Sequence, residues 1–270
     1  MGRYELPVKK VDPVLSPLMD SIRVGFRKRQ YDALEKDRKG IWHVTDLAKS
    51  CMRNVYYSKM AGIPKVSMDS NSMSHVFVGE AVHQLLDSVN KEEYPLAIEM
   101  KFGEDSVKYE GDKDVDQKNV IYGEMDAMYE MVVNIDGETQ KVDAIVDYKT
   151  WNSNGGYKKK APNEEHVRQI NYYKYMVYVS KGVEIKYGAV VYLDMYDKMA
   201  KPIIFTFPLK PIKELEEELK AKVSELIYAR ESGKLPARTI SWLCDGFCPH
   251  IARCSREEEL PKREMVLRGE

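Results

Sequence analysis

Four cysteines constrain what this chain can fold into more than any other feature of its sequence. Cys244, Cys248 and Cys254 stand close together near the end of the chain, whereas Cys51 stands far upstream. Because one site that used all four thiolates would join these distant segments, the sequence predicts that the tail folds back onto an early helix. The alternative is four unrelated buried thiols. The close spacing of the three late cysteines disfavours it.

Composition and compartment indicate what the four thiolates would hold. No apolar run reaches membrane-spanning length and no apolar stretch follows the first residues, so we expect a cytoplasmic chain with no secretory signal and no membrane partner. Disulfides are disfavoured in that compartment. Zinc sites usually combine two short pairs of ligands, whereas a three-plus-one spacing is more typical of an iron–sulfur cluster. A mixed zinc site with His250 among its ligands is the alternative.

The order of periodic segments predicts a mixed α/β fold. We expect an N-terminal helical extension at 1–40, a core at 41–235 and a cysteine-bearing tail with little regular structure at 236–270. The predicted helices cover about 14–38, 46–60 (with Thr45 as N-cap), 73–90, 163–180 and 211–232. The predicted strands cover about 96–102, 120–133, 141–150, 184–195 and 201–207, the first three in an antiparallel meander with a hairpin turn at Asp136-Gly137.

The charge of the chain neither requires nor excludes nucleic acid as a partner. The formal net charge is −1, and the lack of a basic excess counts mildly against DNA. Basic side chains nevertheless cluster on the predicted helix at 14–38 and again at Lys158, Lys159 and Lys160. Each cluster is either a solvated face or a surface that contacts phosphate.

An acidic–lysine pattern in the middle of the chain is the main chemical signal. Asp147 and Lys149 are two residues apart on a predicted strand, so they share one face, and Asp126 lies on the preceding strand. Carboxylates and the Tyr148 carbonyl are the hard oxygen ligands that magnesium and manganese favour. A metal there would activate water for phosphodiester hydrolysis, and Lys149 would position that water or neutralise developing charge. The alternative is an edge strand with Asp and Lys on its outward face.

Three residues on predicted helices could complete such a site. Gln169 and Tyr173 are four apart, hence on one helical face, and could orient the lysine or contact phosphate. His83 could add a nitrogen ligand, with Glu80 as a weaker candidate. The alternatives are an ordinary polar face for the pair and a satisfied structural histidine for His83.

These motifs, in this order, resemble the RecB-like branch of the PD-(D/E)xK nucleases, and within it the CRISPR-associated Cas-four exonucleases. The matching pieces are Ser50-Cys51-x-Arg53-x-x-Tyr56-Tyr57, Gly79-Glu80-x-x-His83, Gly123-x-x-Asp126, Asp147-x-Lys149, Gln169-x-x-x-Tyr173 and the three late cysteines. Two features depart from the family pattern. Asp147 stands where a glutamate is usual, and the gap between Cys244 and Cys248 is one residue longer than expected.

The resemblance implies a restriction-endonuclease-like core, a mixed central sheet flanked by helices, with an iron–sulfur staple that packs the tail on N-terminal helices. It implies metal ligands at His83, Asp126 and Asp147, a catalytic lysine at Lys149, a helix motif at Gln169 and Tyr173, and a [4Fe-4S] cluster on Cys51, Cys244, Cys248 and Cys254.

The implied activity is metal-dependent exonuclease hydrolysis of single-stranded or frayed DNA, in CRISPR spacer acquisition with the integrase complex as a partner. A RecB-like nuclease of recombination, replication or viral genome processing is the first alternative. The alternative of another class is a DNA-binding or assembly subunit with a vestigial nuclease centre.

Overall fold

The computed structural model describes residues 41–59, 79, 81–82, 95–99, 120–135, 137–151, 159–194, 202–241, 244 and 248–259. All of them belong to one compact unit, Gly40–Glu270. The predicted N-terminal extension, most of the predicted helix at 73–90, and the candidate ligands Glu80 and His83 lie outside the described residues.

Helices and runs of strands follow one another along the described chain. In order they are β1 (Ile41–His43), α1 (Val44–Leu47), α2 (Met52–Lys59), β2 (Pro95–Glu99), β3 (Val120–Glu124), β4 (Ala127–Ile135), β5 (Glu138–Trp151), α3 (Glu164–Lys181), β6 (Tyr187–Asp194), β7 (Ile203–Pro208), α4 (Ile212–Ser232) and α5 (Ile251–Glu259). Gly79, Ala81 and Val82 are also helical, within the predicted 73–90 helix. No helix in the described ranges is both long enough and apolar enough to cross a membrane.

The strands form two sheets. In the smaller, of order β1-β3-β2, β1 runs parallel and β2 antiparallel to β3. In the larger, of order β4-β5-β6-β7, only the central pair β5–β6 is parallel. The predicted mixed α/β class, a mixed sheet flanked by helices, is therefore confirmed.

The longest strand, β5, begins at a tight hairpin turn. Gly137 adopts a φ of 88°, a left-handed conformation that glycine reaches without a Cβ clash, and its amide donates to Asn134 Oδ1 at 3.0 Å. The turn sets Ile135 opposite Glu138 and fixes the register of the whole β4–β5 pair. β5 is exposed near the hairpin, buried from Ala144 to Asp147, where β6 joins it, and half-buried from there to its end.

Helix α3 is the centre of the core. The Asn163 side chain accepts from the Glu165 amide at its start, and Gly182 ends it in a left-handed conformation. Between these caps every side chain from Gln169 to Val177 is buried, which is typical of a helix enclosed on several sides. Its apolar side chains join those of both sheets and of α4 in one cluster, where each fully buried aliphatic contributes about 1.5–3 kcal/mol.

Several predicted elements differ from the observed ones. The predicted strand 120–133 is two strands, because the chain leaves β3 after Glu124 and enters β4 only at Ala127. The predicted helix 46–60 is split into α1 and α2, and Thr45 lies inside α1, whose N-cap is His43. The tail contains the helix α5, although little regular structure was expected there.

Candidate functional site

Asp147 and Lys149 point from β5 toward the same side and form an ion pair. Lys149 Nζ lies 2.7 Å from Asp147 Oδ2, and the Asp147 side chain is only 1% exposed. Burial of a carboxylate is unfavourable unless it is paired and hydrogen-bonded, so this pair fixes the orientation of both groups. The structure thus brings together the two residues that the Asp-x-Lys pattern singled out.

Asp126 reaches the same part of β5 from the break between β3 and β4. Ala127 pairs with Val146, so Asp126 stands one residue beyond that pair, alongside Asp147. Its Oδ2 accepts a 2.7 Å hydrogen bond from the amide of Tyr148. The break between the two strands therefore lets the Asp126 carboxylate point at the backbone of β5.

Gln169 and Tyr173 complete the polar network from helix α3. Gln169 Nε2 lies 3.2 Å from Asp147 Oδ1 and 3.0 Å from the Tyr173 hydroxyl, so the amide connects the helix to the strand. Burial, and then the negative charge of Asp147, raise the pKa of Tyr173, which stays a neutral phenol. Gln169 and Tyr173 thus hold Asp147 in place.

Steric crowding explains why the Gly123-x-x-Asp126 motif begins with a glycine. A Cβ at Gly123 would lie 2.8 Å from Tyr173 Cε1 and 2.9 Å from Val44 Cγ2. Real Cβ contacts are longer than this, so a side chain here would push the tyrosine ring out of position. Gly123 and Tyr173, far apart in the sequence, are parts of one packing arrangement.

The donor atoms near β5 suit a hard divalent cation. Asp126 and Asp147 offer carboxylate oxygens beside the backbone of Tyr148, and magnesium and manganese prefer such ligands. Within the described ranges, no three side chains of the His, Cys, Asp and Glu types lie close enough together to hold one metal ion. Gly79, four residues before His83, lies against β5, where its Cβ would be 3.2 Å from Thr150 Oγ1.

His166 and Tyr192 lie at this site but had no role in the sequence analysis. His166 Nδ1 lies 2.8 Å from the Tyr192 hydroxyl, which also accepts from the Asn163 amide at 2.9 Å. Burial, and then the positive charges of Lys149 and Lys159, lower the pKa of His166 to about 3, so the ring is neutral. The spacing signal that could have found His166 is its position three residues before Gln169, on the same helical face.

Helix α2 lies against two of the late cysteines. Asn54 Nδ2 lies 3.5 Å from Cys248 Sγ, and Arg53 Nη1 lies 3.6 Å from Cys254 Sγ. Arg53 Nε also donates to the carbonyl of Pro236 at 2.8 Å. Residues two and three positions after Cys51 therefore contact the tail.

Further contacts hold the tail on α2. His250 is 3% exposed, and its Nε2 lies 2.9 Å from Ser58 Oγ. The Tyr57 hydroxyl donates to Glu257 in α5. All four cysteines are described and none forms a disulfide; Cys244 Sγ approaches the Thr239 carbonyl at 4.0 Å. Arg53, Asn54 and Ser58 thus dock the tail without any covalent link.

Charged side chains of α3 and α4 hold the loop before Cys51. The contacts join Lys222 Nζ to the carbonyls of Leu47 (2.6 Å) and Lys49 (3.0 Å), Arg168 Nη1 to the carbonyl of Ala48 (2.6 Å), and the Ser50 amide to Glu165 Oε1 (3.0 Å). Because Glu165 and Arg168 lie on the same helix as Gln169, one element positions both the carboxylate site and the cysteine segment. The local sequence carries no signal for these long-range contacts.

Comparison with known proteins gives limited information about this chain. No family model matches it, and no curated protein matches it significantly. It is similar to the crystal structure of SSO0001, with a TM-score of 0.46 and 18% identity over 83% of this chain and 93% of that one. It is also similar to an alkaline exonuclease (LHK-Exo) from Laribacter hongkongensis, with a TM-score of 0.36 and 13% identity over 73% of this chain and 93% of that one. At these values neither likeness supports a function.

The tail contacts predict a specific effect of Arg53→Met, which keeps most of the stem and removes the donors to Pro236 and Cys254. We expect the free energy of unfolding to fall by about 1–3 kcal/mol, because a part-buried carbonyl loses its donor. Urea denaturation measures this, and limited proteolysis with mass spectrometry should show earlier cleavage after Pro236.

The control is Arg256→Met, since Arg256 is exposed and, among the described residues, donates to the Ala252 carbonyl of its own helix. It should change the free energy of unfolding by less than about 0.5 kcal/mol. Equal stability and equal tail cleavage in the two variants would contradict the role of Arg53 in docking the tail.

Proposed function

We propose that this protein is a metal-dependent deoxyribonuclease of the RecB-like PD-(D/E)xK type. The observation that carries the proposal is the convergence of Asp126, Asp147 and Lys149 on one side of β5, with Gln169 bonded to Asp147. Two carboxylates and a lysine in one place are the groups that phosphodiester hydrolysis needs. An edge strand with a polar outward face does not account for them, since Asp147 is fully buried against α3.

Each residue has a chemical role in this proposal. Asp126, Asp147 and the Tyr148 carbonyl, with His83, would hold magnesium or manganese. The bound metal supplies Lewis-acid polarisation of the scissile phosphate and a lowered pKa for a ligand water. Lys149, which lies 2.7 Å from Asp147 and is partly exposed, orients the attacking water and neutralises charge on the phosphate.

The helix residues serve the chemistry through Asp147. Gln169 donates to Asp147 Oδ1, which leaves the other carboxylate oxygen directed at Lys149. Tyr173 accepts from the same amide and, as a buried neutral phenol, fixes the Gln169 rotamer. Such support keeps the carboxylate in one orientation through the reaction, which is where preorganised sites gain rate.

The resemblance extends the proposal to the substrate and the partners. Single-stranded or frayed DNA is the proposed substrate and exonuclease action the proposed mode. CRISPR spacer acquisition, with the integrase complex as partner, is the proposed setting, and recombination, replication or viral genome processing is the second candidate. A vestigial centre in a DNA-binding or assembly subunit is disfavoured because all three residues are present: Asp147 and Lys149 lie on β5, and Asp126 bonds to the backbone of β5.

The proposal also includes a [4Fe-4S] cluster on Cys51, Cys244, Cys248 and Cys254. The fit rests on two contacts: amide and guanidinium donors just after Cys51 point at the sulfurs of Cys248 and Cys254, and N–H donors stabilise cluster-bound thiolates. In a [4Fe-4S] cluster each cysteine thiolate binds a different iron atom. The four sulfur atoms therefore do not need to surround a single metal ion, as they would in a zinc site. Zinc stays the alternative that metal analysis decides.

Replacement of the site carboxylate should abolish cleavage. Asp147→Asn keeps the size of the side chain and an acceptor for Gln169, but removes the charge that binds metal. We expect manganese-dependent cleavage of end-labelled single-stranded DNA to fall by at least about 10³-fold, with an unchanged circular dichroism spectrum. Asp126→Asn and Lys149→Met should behave alike.

The matched control is Asp143→Asn, an exposed residue four positions earlier on the same face of β5. It should cleave at the wild-type rate. Wild-type cleavage by Asp147→Asn would reject the assignment of the active site, and no cleavage by the wild-type protein with either metal would favour the vestigial subunit.

Loss of the remote cysteine should be as damaging as loss of a late one. In Cys51→Ala and in Cys248→Ala we expect iron and sulfide in anaerobically purified protein to drop together, with a lower melting temperature, because cluster binding contributes directly to folding. A Cys51→Ala protein with full iron content and unchanged melting would show that Cys51 is not a ligand. Zinc without sulfide in the wild-type protein would replace the cluster by a zinc site.

A further inference from the structure

A lysine held by aromatic rings lies just beyond the end of β5. Lys159 Nζ is 4.2 Å from the centroid of the Tyr192 ring and 5.7 Å from that of Trp151. Both distances are within the range of cation–π attraction. Burial lowers the pKa of Lys159. The ammonium group is therefore drawn partly out of water and fixed in place, unlike a lysine on a solvated face.

The rings that hold Lys159 belong to the same side of the sheet as the carboxylate site. Tyr192 of β6 is the register partner of Lys149, and Trp151 follows Lys149 by two residues on β5, so all three side chains share one face. His166 contacts Tyr192, and after burial the charges of Lys149 and Lys159 lower the pKa of His166. Lys159 thus lies next to the site, on the side of Lys149.

The charges around Lys159 leave it available to an anion. In the described part of the chain Lys149 is paired with Asp147, whereas no carboxylate forms an ion pair with Lys159. His166 is neutral and neither competes for an anion nor repels one. The buried carboxylate of Asp194, the register partner of Trp151, lies on the same sheet face and has contacts of its own. Among the described residues Lys159 is thus a partly buried cation with no ion-paired carboxylate, held against the ring of the register partner of Lys149, where it is placed to attract phosphate.

We propose that Lys159 binds the backbone phosphate next to the one that is cleaved, with Tyr192 and Trp151 fixing its ammonium group. This inference rests on the proposed nuclease function and names a contact that sets the position of the DNA strand. Lys159 makes it as a point charge, so the contact carries no base specificity. The competing role is structural, an anchor for the segment that follows β5.

The test is the salt dependence of DNA binding by Lys159→Met, measured without cleavage in EDTA. Fluorescence anisotropy with a labelled single-stranded oligonucleotide over a series of salt concentrations gives the slope of log K against log salt. Each phosphate contact on a single strand contributes about 0.7 to that slope. We expect Lys159→Met to weaken binding by about 3–10-fold at low salt and to reduce the slope by about 0.7, equally for different sequences.

Two matched variants separate charge from structure. Lys160→Met removes the neighbouring exposed lysine and should leave affinity and slope within about twofold of wild type. Lys159→Arg keeps the charge and the cation–π contact and should restore the wild-type slope. An unchanged slope in Lys159→Met, with a lowered melting temperature or without one, would overturn the phosphate contact.

The inference and the nuclease proposal fail separately. If Asp147→Asn loses cleavage while Lys159→Met keeps the wild-type slope, the phosphate contact is wrong and the nuclease stands. If the wild-type protein cleaves nothing but the slope falls in Lys159→Met, the contact stands as part of a DNA-binding surface and the nuclease proposal is wrong.

Discussion

The buried carboxylate of Asp147 is the group on which the rest of the site depends. It is almost fully excluded from solvent, a position that would be strongly unfavourable for an isolated charge. Lys149 supplies the opposite charge and Gln169 a hydrogen bond, so the carboxylate is stabilised from its own strand and from helix α3 at once. The arrangement makes β5 and α3 a single unit, and any metal that binds Asp147 must do so in competition with Lys149.

Helix α3 connects this site to the cysteine segment. Its buried face carries Gln169 and Tyr173 to the carboxylates, while Glu165 and Arg168 hold the loop before Cys51. From α4, Lys222 adds two hydrogen bonds to the same loop, and burial, followed by the charge of Arg168, lowers its pKa to about 8. Damage to the tail would thus be transmitted to the carboxylate site through α3 and this loop, rather than by direct contact.

Periodic segments were predictable from the sequence because their signals are local. The hairpin at Gly137, the strand β5 and the long helices α3 and α4 all depend on signals within one segment. The same holds for Asp147 with Lys149 and for Gln169 with Tyr173, which the structure does bring together. Whether these residues carry out the proposed chemistry stays a prediction.

The features that sequence patterns missed depend on contacts between distant segments. The break before Ala127 exists because Asp126 bonds to the Tyr148 backbone, and α1 and α2 separate where side chains of α3 and α4 hold the loop between them. Tyr57 of α2 donates to Glu257 of α5 and contacts the ring of His250 in the tail. No local pattern predicts these contacts. His166 and Lys159 both contact Tyr192, which the β5–β6 register places opposite Lys149.

The most direct test of the central claim, that the carboxylates beside β5 form a divalent metal site, is a manganese titration without DNA. Isothermal titration calorimetry at constant ionic strength should show a site in the wild-type protein that Asp143→Asn retains. In Asp147→Asn the affinity should fall by at least about 10-fold or the site should disappear, since one of its charged ligands is gone. Equal manganese affinity and stoichiometry in wild type and Asp147→Asn would contradict the account, whatever the behaviour of the cysteines.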